Sequence, residues 1–388
     1  MAKKAKILVI GPGFPYRNGQ SIYLTHLCTQ LQSDFEVSLV NYSMLYPSFL
    51  FPGKTQYDES KDKQLHFPNQ RMINSLNPFN WYKVAKHINK EDPDLIAIDW
   101  WHPFLGLCHR GITMFLNKKL RKKIVFITEN VISHEANKMD KILTRMGLKY
   151  ASCFLALSNS VEQYLNTMFH KKVFRSVLPI YDFYKSEDET FVQKNADLKA
   201  GLGFSEEDTV FLFFGLVRKY KGLDILISAF AELKKQYKNI KLLAIGEFYE
   251  DAAPYFDLIK DLNLSNDVRL ENKYVPNEDV QQYFDVSDCL VLPYRSATQS
   301  GILSMAYGFG KPVVVTNVGE LGALVREGKT GYVVAQANVE DVAKGMEQYL
   351  TNKNQEPYLQ NIQQYLKETD TFTKVNAEFD KIIDFVNK

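Results

Sequence analysis

Short apolar runs, each followed by a stretch with apolar residues at helical spacing, recur along the chain. "KILVIGP" begins the pattern: a β-branched run closed by Gly and Pro, as in a buried parallel strand. Behind it, in "GQSIYLTHLCTQLQ", Ile22, Leu24, Leu27 and Leu31 recur at helical intervals. Further strand-like runs follow as "FEVSLVNY", "DLIAIDWW", "KIVFITEN" and "CFLALSNS", separated by helical segments. Residues 186–203, "SEDETFVQKNADLKAGLG", are polar and poorly periodic and read as a linker. The alternation then restarts with "TVFLFFG", "LDILISAFAELKKQ", "IKLLAIGE", "VRLENKY", "VQQYFDVSD", "CLVLPY", "KPVVVTN" and "GYVV". The tail "VNAEFDKIIDFV" sets Ala377, Phe379, Ile382, Ile383 and Val386 on one helical face. Alternation of this kind predicts an α/β fold with doubly wound parallel sheets. Its restart predicts two domains, residues 1–185 and 204–365, and 388 residues are too many for one ordinary core.

Composition narrows the class. Hydrophobic residues make up 45% and charged residues 24%, typical of a soluble globular chain. A net charge of +2 argues against a general nucleic-acid binder. Phe (26), Tyr (22) and Trp (3) suffice to line substrate clefts as well as cores. The four cysteines, Cys28, Cys108, Cys153 and Cys289, form no CxxC pair, so reduced, buried thiols without a zinc site are expected. The apolar run at residues 7–10 is too short for a signal peptide, and no run reaches membrane-spanning length. A cytoplasmic protein is expected. The basic clusters "KKAK" and "NKKLRKK" read either as solvated surface or as peripheral contacts with a membrane face.

Ligands of open parallel sheets bind beyond the carboxyl ends of the strands, and two such sheets predict a cleft between them. Several loops after strands are unusual. "GPGFPYRNGQS" offers three glycines for close backbone approach, then a helix start. It is not the nicotinamide fingerprint: Tyr16 stands where the third glycine belongs, and "LVNYS" has no acid. "DWWHPF" (residues 99–104) reads as a sugar-stacking platform or as a packed aromatic corner, the latter preferred for Trp100. "TENVISHE" gathers Glu129, Asn130, His134 and Glu135 after an apolar strand. "FFGLVRKYKGLD" places Arg218, Lys219 and Lys221 where cations suit a diphosphate, with Lys219 read as solvated. "ATQSGILSMAYGFGKPVV" (residues 297–314) puts small polar residues ahead of an apolar helix start. That is an ordinary cap or an anion site. No metal-ligand cluster, GxSxG elbow or P-loop is present in the sequence.

Taken together, "GPGFPYRNG", "ENVISHE", "FFGLVRKYKGLDILISAF", "LLAIGEF", "VPNEDVQQYFDVSDCLVLPY", "AYGFGKPVVVTNVGE" and "EGKTGYVV" resemble a GT-B glycosyltransferase of retaining family 4. The resemblance covers nearly the whole chain and rests on the order and spacing of the pieces. It implies two Rossmann-like domains, the second holding a nucleotide-diphosphate sugar and the first the acceptor. It also implies a C-terminal helix, residues 366–388, returning to the first domain. The acceptor would be a glycan, a lipid-linked glycan or a small molecule, as in cell-surface polysaccharide synthesis, with neither metal nor cofactor. Front-face attack would retain configuration, the donor phosphate helping to take the acceptor proton.

Residue by residue, the resemblance implies catalytic roles for Arg218, Lys221, His134 and Glu135. Donor contacts fall to Gly13, Gly19, Gly215, Glu247, Thr298, Gln299, Ser300, Gly301 and Ile302, and acceptor-side contacts to Asn18, Trp101, His102, Glu129 and Asn130. Lys221 matches the family's phosphate-binding lysine. Leu216 occupies the usual arginine position, so Arg218 is expected to stand in. The two glutamates of the EX7E element would fall at Ala297 and Met305 and are missing, as in a subgroup carrying "ATQSG". Glu129 stands where many members have histidine. A non-catalytic GT-B-shaped binding or partner subunit is the alternative that the missing glutamates motivate.

Overall fold

Ile7 and Val9 point to one face of the first strand and Leu8 and Ile10 to the other, and all four are buried. That two-sided burial is what a continuous apolar run encodes in a parallel sheet. The structure, a computed structural model, describes residues 4–17, 19–47, 51, 55–60, 66–131, 138–176, 178–181, 184–185, 190–369 and 371–388. It divides into two compact units. The first comprises Met1–Asp58, Lys63–Pro179 and Asp370–Lys388, the second Glu59–Asp62 and Ile180–Thr369.

The first unit is built on a parallel sheet of β1 (Lys6–Ile10), β2 (Glu36–Met44), β3 (Asn69–Asn74), β4 (Leu95–Trp100), β5 (Ile124–Thr128), β6 (Cys153–Ala156) and β7 (Lys172–Arg175). The strand order is β3-β2-β1-β4-β5-β6-β7, which reverses direction between β1 and β4. The edge strands β3, "NQRMIN", and β7, "KVFR", escape the apolar-run pattern because each pairs on one side only. On one face lies α1 (Gly19–Leu31), whose Leu24, Leu27 and Leu31 pack with Ile7 and Val9. On the other lie α2 (Pro78–Glu91) and α3 (Gly106–Phe115), whose Val84, Ile88 and Ile112 pack with Leu8 and Ile10. α4 (Lys138–Gly147) packs on α3, and α5 (Asn159–Met168) precedes β7.

In the second unit α6 (Thr190–Leu202) precedes a parallel sheet of β8 (Thr209–Phe214), β9 (Ile240–Ile245), β10 (Val268–Glu271), β11 (Cys289–Leu292), β12 (Val313–Thr316) and β13 (Gly331–Val334). The order β10-β9-β8-β11-β12-β13 repeats the first unit's plan, reversing between β8 and β11. Its helices are α7 (Leu223–Lys234), α8 (Ala253–Asp261), α9 (Val280–Asp285), α10 (Gly301–Gly308), α11 (Val339–Asn352) and α12 (Tyr358–Thr369). α13 (Thr371–Val386) belongs to the first unit, where Val375, Phe379, Ile382 and Val386 join the core around Ile7 and Val9. Residues 366–369 instead close α12.

Residues 190–202, expected as linker, are helical. α6 lacks an apolar stripe because polar contacts hold it: Asn195 donates to Asp285 at 3.0 Å, and Arg269 donates to the Leu202 carbonyl at 2.9 Å. The basic clusters are also partly structural. Lys4 donates to the Gln32 and Ser33 carbonyls, Lys119 pairs with Asp92 at 2.6 Å, and Lys123 is buried 3.6 Å from Asp94.

Candidate functional site

The strand order of the second unit reverses between β8 and β11, and the loops leaving these two strands meet. After β8 the chain turns at Gly215, whose φ of +100° excludes ordinary side chains. A Cβ placed there would lie 3.2 Å from Ile302 Cδ1 and 3.6 Å from Lys221 Nζ, so the turn, the lysine and the start of α10 converge. Gly246, after β9, approaches so closely that its Cβ would sit 1.8 Å from the Gly215 carbonyl oxygen. Next to it the Val217 amide donates to the Glu247 carbonyl at 2.9 Å, which brings Glu247, itself buried, to the same cluster. Arg295 clamps the β11 loop onto the β8 loop. Its amide donates to the Tyr220 carbonyl at 2.7 Å, and its guanidinium donates to the Lys219 carbonyl and, as a fork, to Asp224 at 2.9 and 2.6 Å.

Lys221 is only 9% exposed. Burial and the neighbouring Arg218 cation push its ammonium down to about 8, and no carboxylate among the described residues offsets them. The ring of Tyr294 lies 5.6 Å away, and burial holds that phenol well above its usual range. Arg218 is exposed, its guanidinium 5.0 Å over the Tyr249 ring, and has no ion pair among the described residues. A buried ammonium beside a free guanidinium is a local excess of positive charge.

The start of α10 adds hydrogen-bond donors. Ser300 occupies the cap position in extended conformation (φ −140°, ψ 115°), yet its hydroxyl makes no capping bond, and the first turn holds no acid. The N–H groups of that turn are therefore uncapped by a side chain, the condition under which a helix start takes an anion. Gln299 Nε2 is buried without a hydrogen-bond partner among the described residues. The Thr298 carbonyl accepts from the Glu320 amide at 2.9 Å, and only a glycine at 319 (φ +55°) fits there, since its Cβ would lie 2.2 Å from the Ala297 oxygen. Gly301 faces the buried Tyr181 ring, 3.0 Å from where a Cβ would stand. Met305 is buried and apolar.

In the first unit, the corresponding reversal between β1 and β4 holds two acids. Leu95 and Ala97, and likewise Val125 and Ile127, face α1; two residues further on, Asp99 and Glu129 keep the same parity at the ends of adjacent strands. Both Asp99 oxygens and Glu129 Oε1 are buried without hydrogen-bond partners among the described residues, while Gln20 Nε2 of α1 donates to Glu129 Oε2 at 3.0 Å. Burial, then the charge of Glu129, holds the Asp99 carboxyl well above the usual range, and burial raises Glu129 to about 7. A Cβ at Gly11 would stand 3.0 Å from Asp99 Cβ. The Gly13 carbonyl accepts from Asn41 at 3.0 Å, and no atom of the described residues lies within 4 Å of where a Cβ at Gly19, the first residue of α1, would stand.

The aromatic loop is engaged in structure. Trp101 donates its indole N–H to the Tyr46 hydroxyl at 3.1 Å, and His102 Nδ1 accepts from the Phe104 amide at 3.1 Å. Trp100 is wholly buried, and Asn130 is half-buried. The expected residues thus fall into two sets. Gly215, Arg218, Lys221, Glu247 and residues 298–302 come together in the second unit; Gly13, Gly19, Trp101, His102, Glu129 and Asn130 belong to the first. Asn18, His134 and Glu135 lie outside the described residues. Sequence reasoning passed over Asp99, Gln20, Tyr294 and Arg295. Asp99 carried a usable signal, as the one charged residue of the otherwise apolar strand "LIAIDW".

The sequence profile of the family Glycosyl transferases group 1 matches residues 194–369. The uncharacterized glycosyltransferase MJ1178 of Methanocaldococcus jannaschii is 23% identical over 357 residues, 90% of this chain and 89% of that protein. D-inositol 3-phosphate glycosyltransferase of Rhodococcus jostii is 29% identical over 157 residues, which are 39% of this chain and 35% of that protein. Among solved structures, Anabaena Alr3699/HepE in complex with UDP superposes with a TM-score of 0.72 at 15% identity, covering 98% and 99% of the two chains. The fold is GT-B, with two Rossmann-like units. The matches support a glycosyltransferase of group 1.

Proposed function

We propose that the chain transfers a sugar from a nucleotide-diphosphate donor to a hydroxyl of a glycan, lipid-linked or small-molecule acceptor, with retention of configuration. The observation that carries this reading is the buried, carboxylate-free ammonium of Lys221 beside the uncapped start of α10. A diphosphate supplies the missing counter-charge. In the transfer, the acceptor oxygen bonds to the anomeric carbon as the bond from that carbon to the diphosphate oxygen breaks. Negative charge grows on the departing diphosphate, where Lys221, Arg218 and the amides of residues 301 and 302 stabilise it. Hydrogen-bond donors and cations already aimed at developing charge lower the barrier more than any other single effect in such reactions. The acceptor proton passes to the departing phosphate oxygen, so no protein nucleophile is needed. Organic cations take the place of a metal in this scheme. Retention and the catalytic parts of His134 and Glu135 rest on the family resemblance.

The replacement of both expected glutamates, by Ala297 and the buried Met305, favours a second reading, a GT-B-shaped subunit that binds the donor without turnover. A thermal-shift panel of nucleoside diphosphates and their sugars tests the site, because a ligand bound only by the native state raises the melting temperature by mass action. One diphosphate series is expected to stabilise the protein with chelator present, and the matching nucleotide sugar to be consumed in the presence of acceptor. Stabilisation without consumption favours the binding subunit. No stabilisation by any diphosphate contradicts both.

A further inference from the structure

The loops that enter β5, β6 and β7 lie at the amino ends of these parallel strands, the end of the sheet opposite Asp99 and Glu129. Among them is a recess of about 440 Å³. Arg121 and Lys122 before β5, Lys149 before β6, Lys171 before β7 and Lys388 after α13 line it, and no Asp or Glu does. None of these five cations forms an ion pair among the described residues. The two acids in the neighbouring loop before β4 are taken by other cations, Asp92 by Lys119 and Asp94 by Lys123. A net charge of only +2 over the whole chain makes the recess a local concentration of positive charge.

The walls of the recess are fixed by packing and hydrogen bonds. Arg110 and Arg121 lie over the Tyr150 ring, their guanidinium carbons 4.3 and 5.4 Å from its centre. Arg110 Nη1 and Arg121 Nε are buried without hydrogen-bond partners among the described residues. Lys171, half-buried, donates to the Lys149 carbonyl at 3.1 Å and to the Ala151 carbonyl, and the Ser152 hydroxyl donates to the Arg121 carbonyl at 3.3 Å. On the α13 side, Phe385 packs edge to face on Phe174, 5.7 Å apart, and Val386 is buried in the core. Two groups register the positive field and the burial. The Arg110 guanidinium, and then that of Arg121, hold the Tyr150 phenol below its usual range, while burial lowers the Lys171 ammonium. Like charges gathered in one recess repel, and an anion carrying several charges offsets that repulsion. The space is large enough for a small molecule, whose sites start at about 300 Å³. Phosphates suit the donors, since lysine offers a point charge and arginine a planar fork.

We infer that this recess is a second anion site, one that binds a soluble molecule bearing a chain of two or more phosphates. The inference goes beyond the donor site, which belongs to the other unit, and does not depend on it. The test is calorimetric titration of the full chain with inorganic tripolyphosphate, paired with acetylation of its lysines read residue by residue by mass spectrometry. Tripolyphosphate is expected to slow acetylation of Lys122 and Lys149 and to leave that of the exposed Lys344 in the second unit unchanged. Because the donor site also attracts phosphate, affinities are compared in Lys221→Met, which has lost that site's buried cation. In this background tripolyphosphate binding is expected to persist, and adding Lys122→Glu/Lys149→Glu to weaken it about tenfold or more. Both lysines are exposed, so unchanged thermal unfolding checks that the fold persists. Protection of neither lysine, or equal affinity with and without Lys122→Glu/Lys149→Glu, overturns the inference. So does equal protection by sulfate at matched ionic strength, which assigns the recess to diffuse ion association.

Discussion

Replacing Lys221 by methionine is expected to stabilise the ligand-free protein and, in the same variant, to weaken nucleoside-diphosphate binding. The two effects have one cause. Folding moves the ammonium from an ordinary 10.5 to about 8, because burial and then the Arg218 cation disfavour its charged form, with no carboxylate among the described residues to offset them. The unfolded chain therefore binds more protons between those values, and stability is diminished below about pH 8 and recovered as pH rises toward 10.5. At about 1.4 kcal/mol per pH unit, the penalty at neutral pH is about 3 kcal/mol. Methionine keeps the apolar stem and removes the charge, a change that is often stabilising at buried sites. Diphosphate affinity should fall by about 2–3 kcal/mol, roughly 30- to 150-fold, for loss of a charge-assisted contact. Chemical denaturation at pH 7 and titration with the nucleoside diphosphate that stabilises the wild type check the pair of outcomes. A variant that is destabilised and binds that diphosphate normally would remove Lys221 from the site.

The second large effect concerns Glu129. Its carboxyl is raised from 4.5 to about 7 by burial, so the folded state holds a proton that the unfolded state releases. Stability is fully present below about pH 4.5 and is lost as pH rises through 7, by about 3 kcal/mol from this group. Asp99 shifts in the same direction and carries the loss further up in pH. Glu129→Gln keeps an oxygen to accept the Gln20 hydrogen bond and cannot ionise. At 2–4 °C per kcal/mol for units of this size, its melting temperature at pH 8 is expected to exceed the wild type's by roughly 6–12 °C. At pH 4.5 the two should coincide. Melting curves across that range decide it, and parallel profiles for the two proteins would contradict the assignment.

These two groups illustrate how the molecule is written in its sequence. Strands buried on both faces, such as "KILVI" and "TVFLFF", announce themselves as apolar runs, and their alternation with helical spacing yields the doubly wound plan. Lys221 is legible because a cation just after a strand is chemically conspicuous. Its lack of a partner is not, since that depends on what the β11 loop brings beside it. Asp99 and Glu129 are 30 positions apart in the chain, and only the register pairing Trp100 with Thr128 makes them neighbours. Trp101 and His102 suggest a stacking platform by residue type; the structure adds that Tyr46 fixes the Trp101 indole N–H and the Phe104 amide fixes His102 Nδ1, partners that the sequence does not announce. α6 is hidden for the opposite reason: polar contacts with Asp285 and Arg269 leave no periodic stripe to see.

The buried charge of Lys221 is proposed to wait for a diphosphate, and proton uptake on binding reads this directly. With its ammonium pushed down to about 8, the lysine of the free protein is expected to be about half protonated at pH 8, and a bound diphosphate is expected to restore the full charge. Calorimetric titration into the protein of the nucleoside diphosphate that stabilises it, in buffers of different ionisation enthalpy, measures the protons exchanged. Uptake of about half a proton at pH 8, fading toward pH 6.5 and absent in Lys221→Met, is the predicted result. Tight binding of that diphosphate with no proton uptake, or with the same uptake in Lys221→Met, would contradict it.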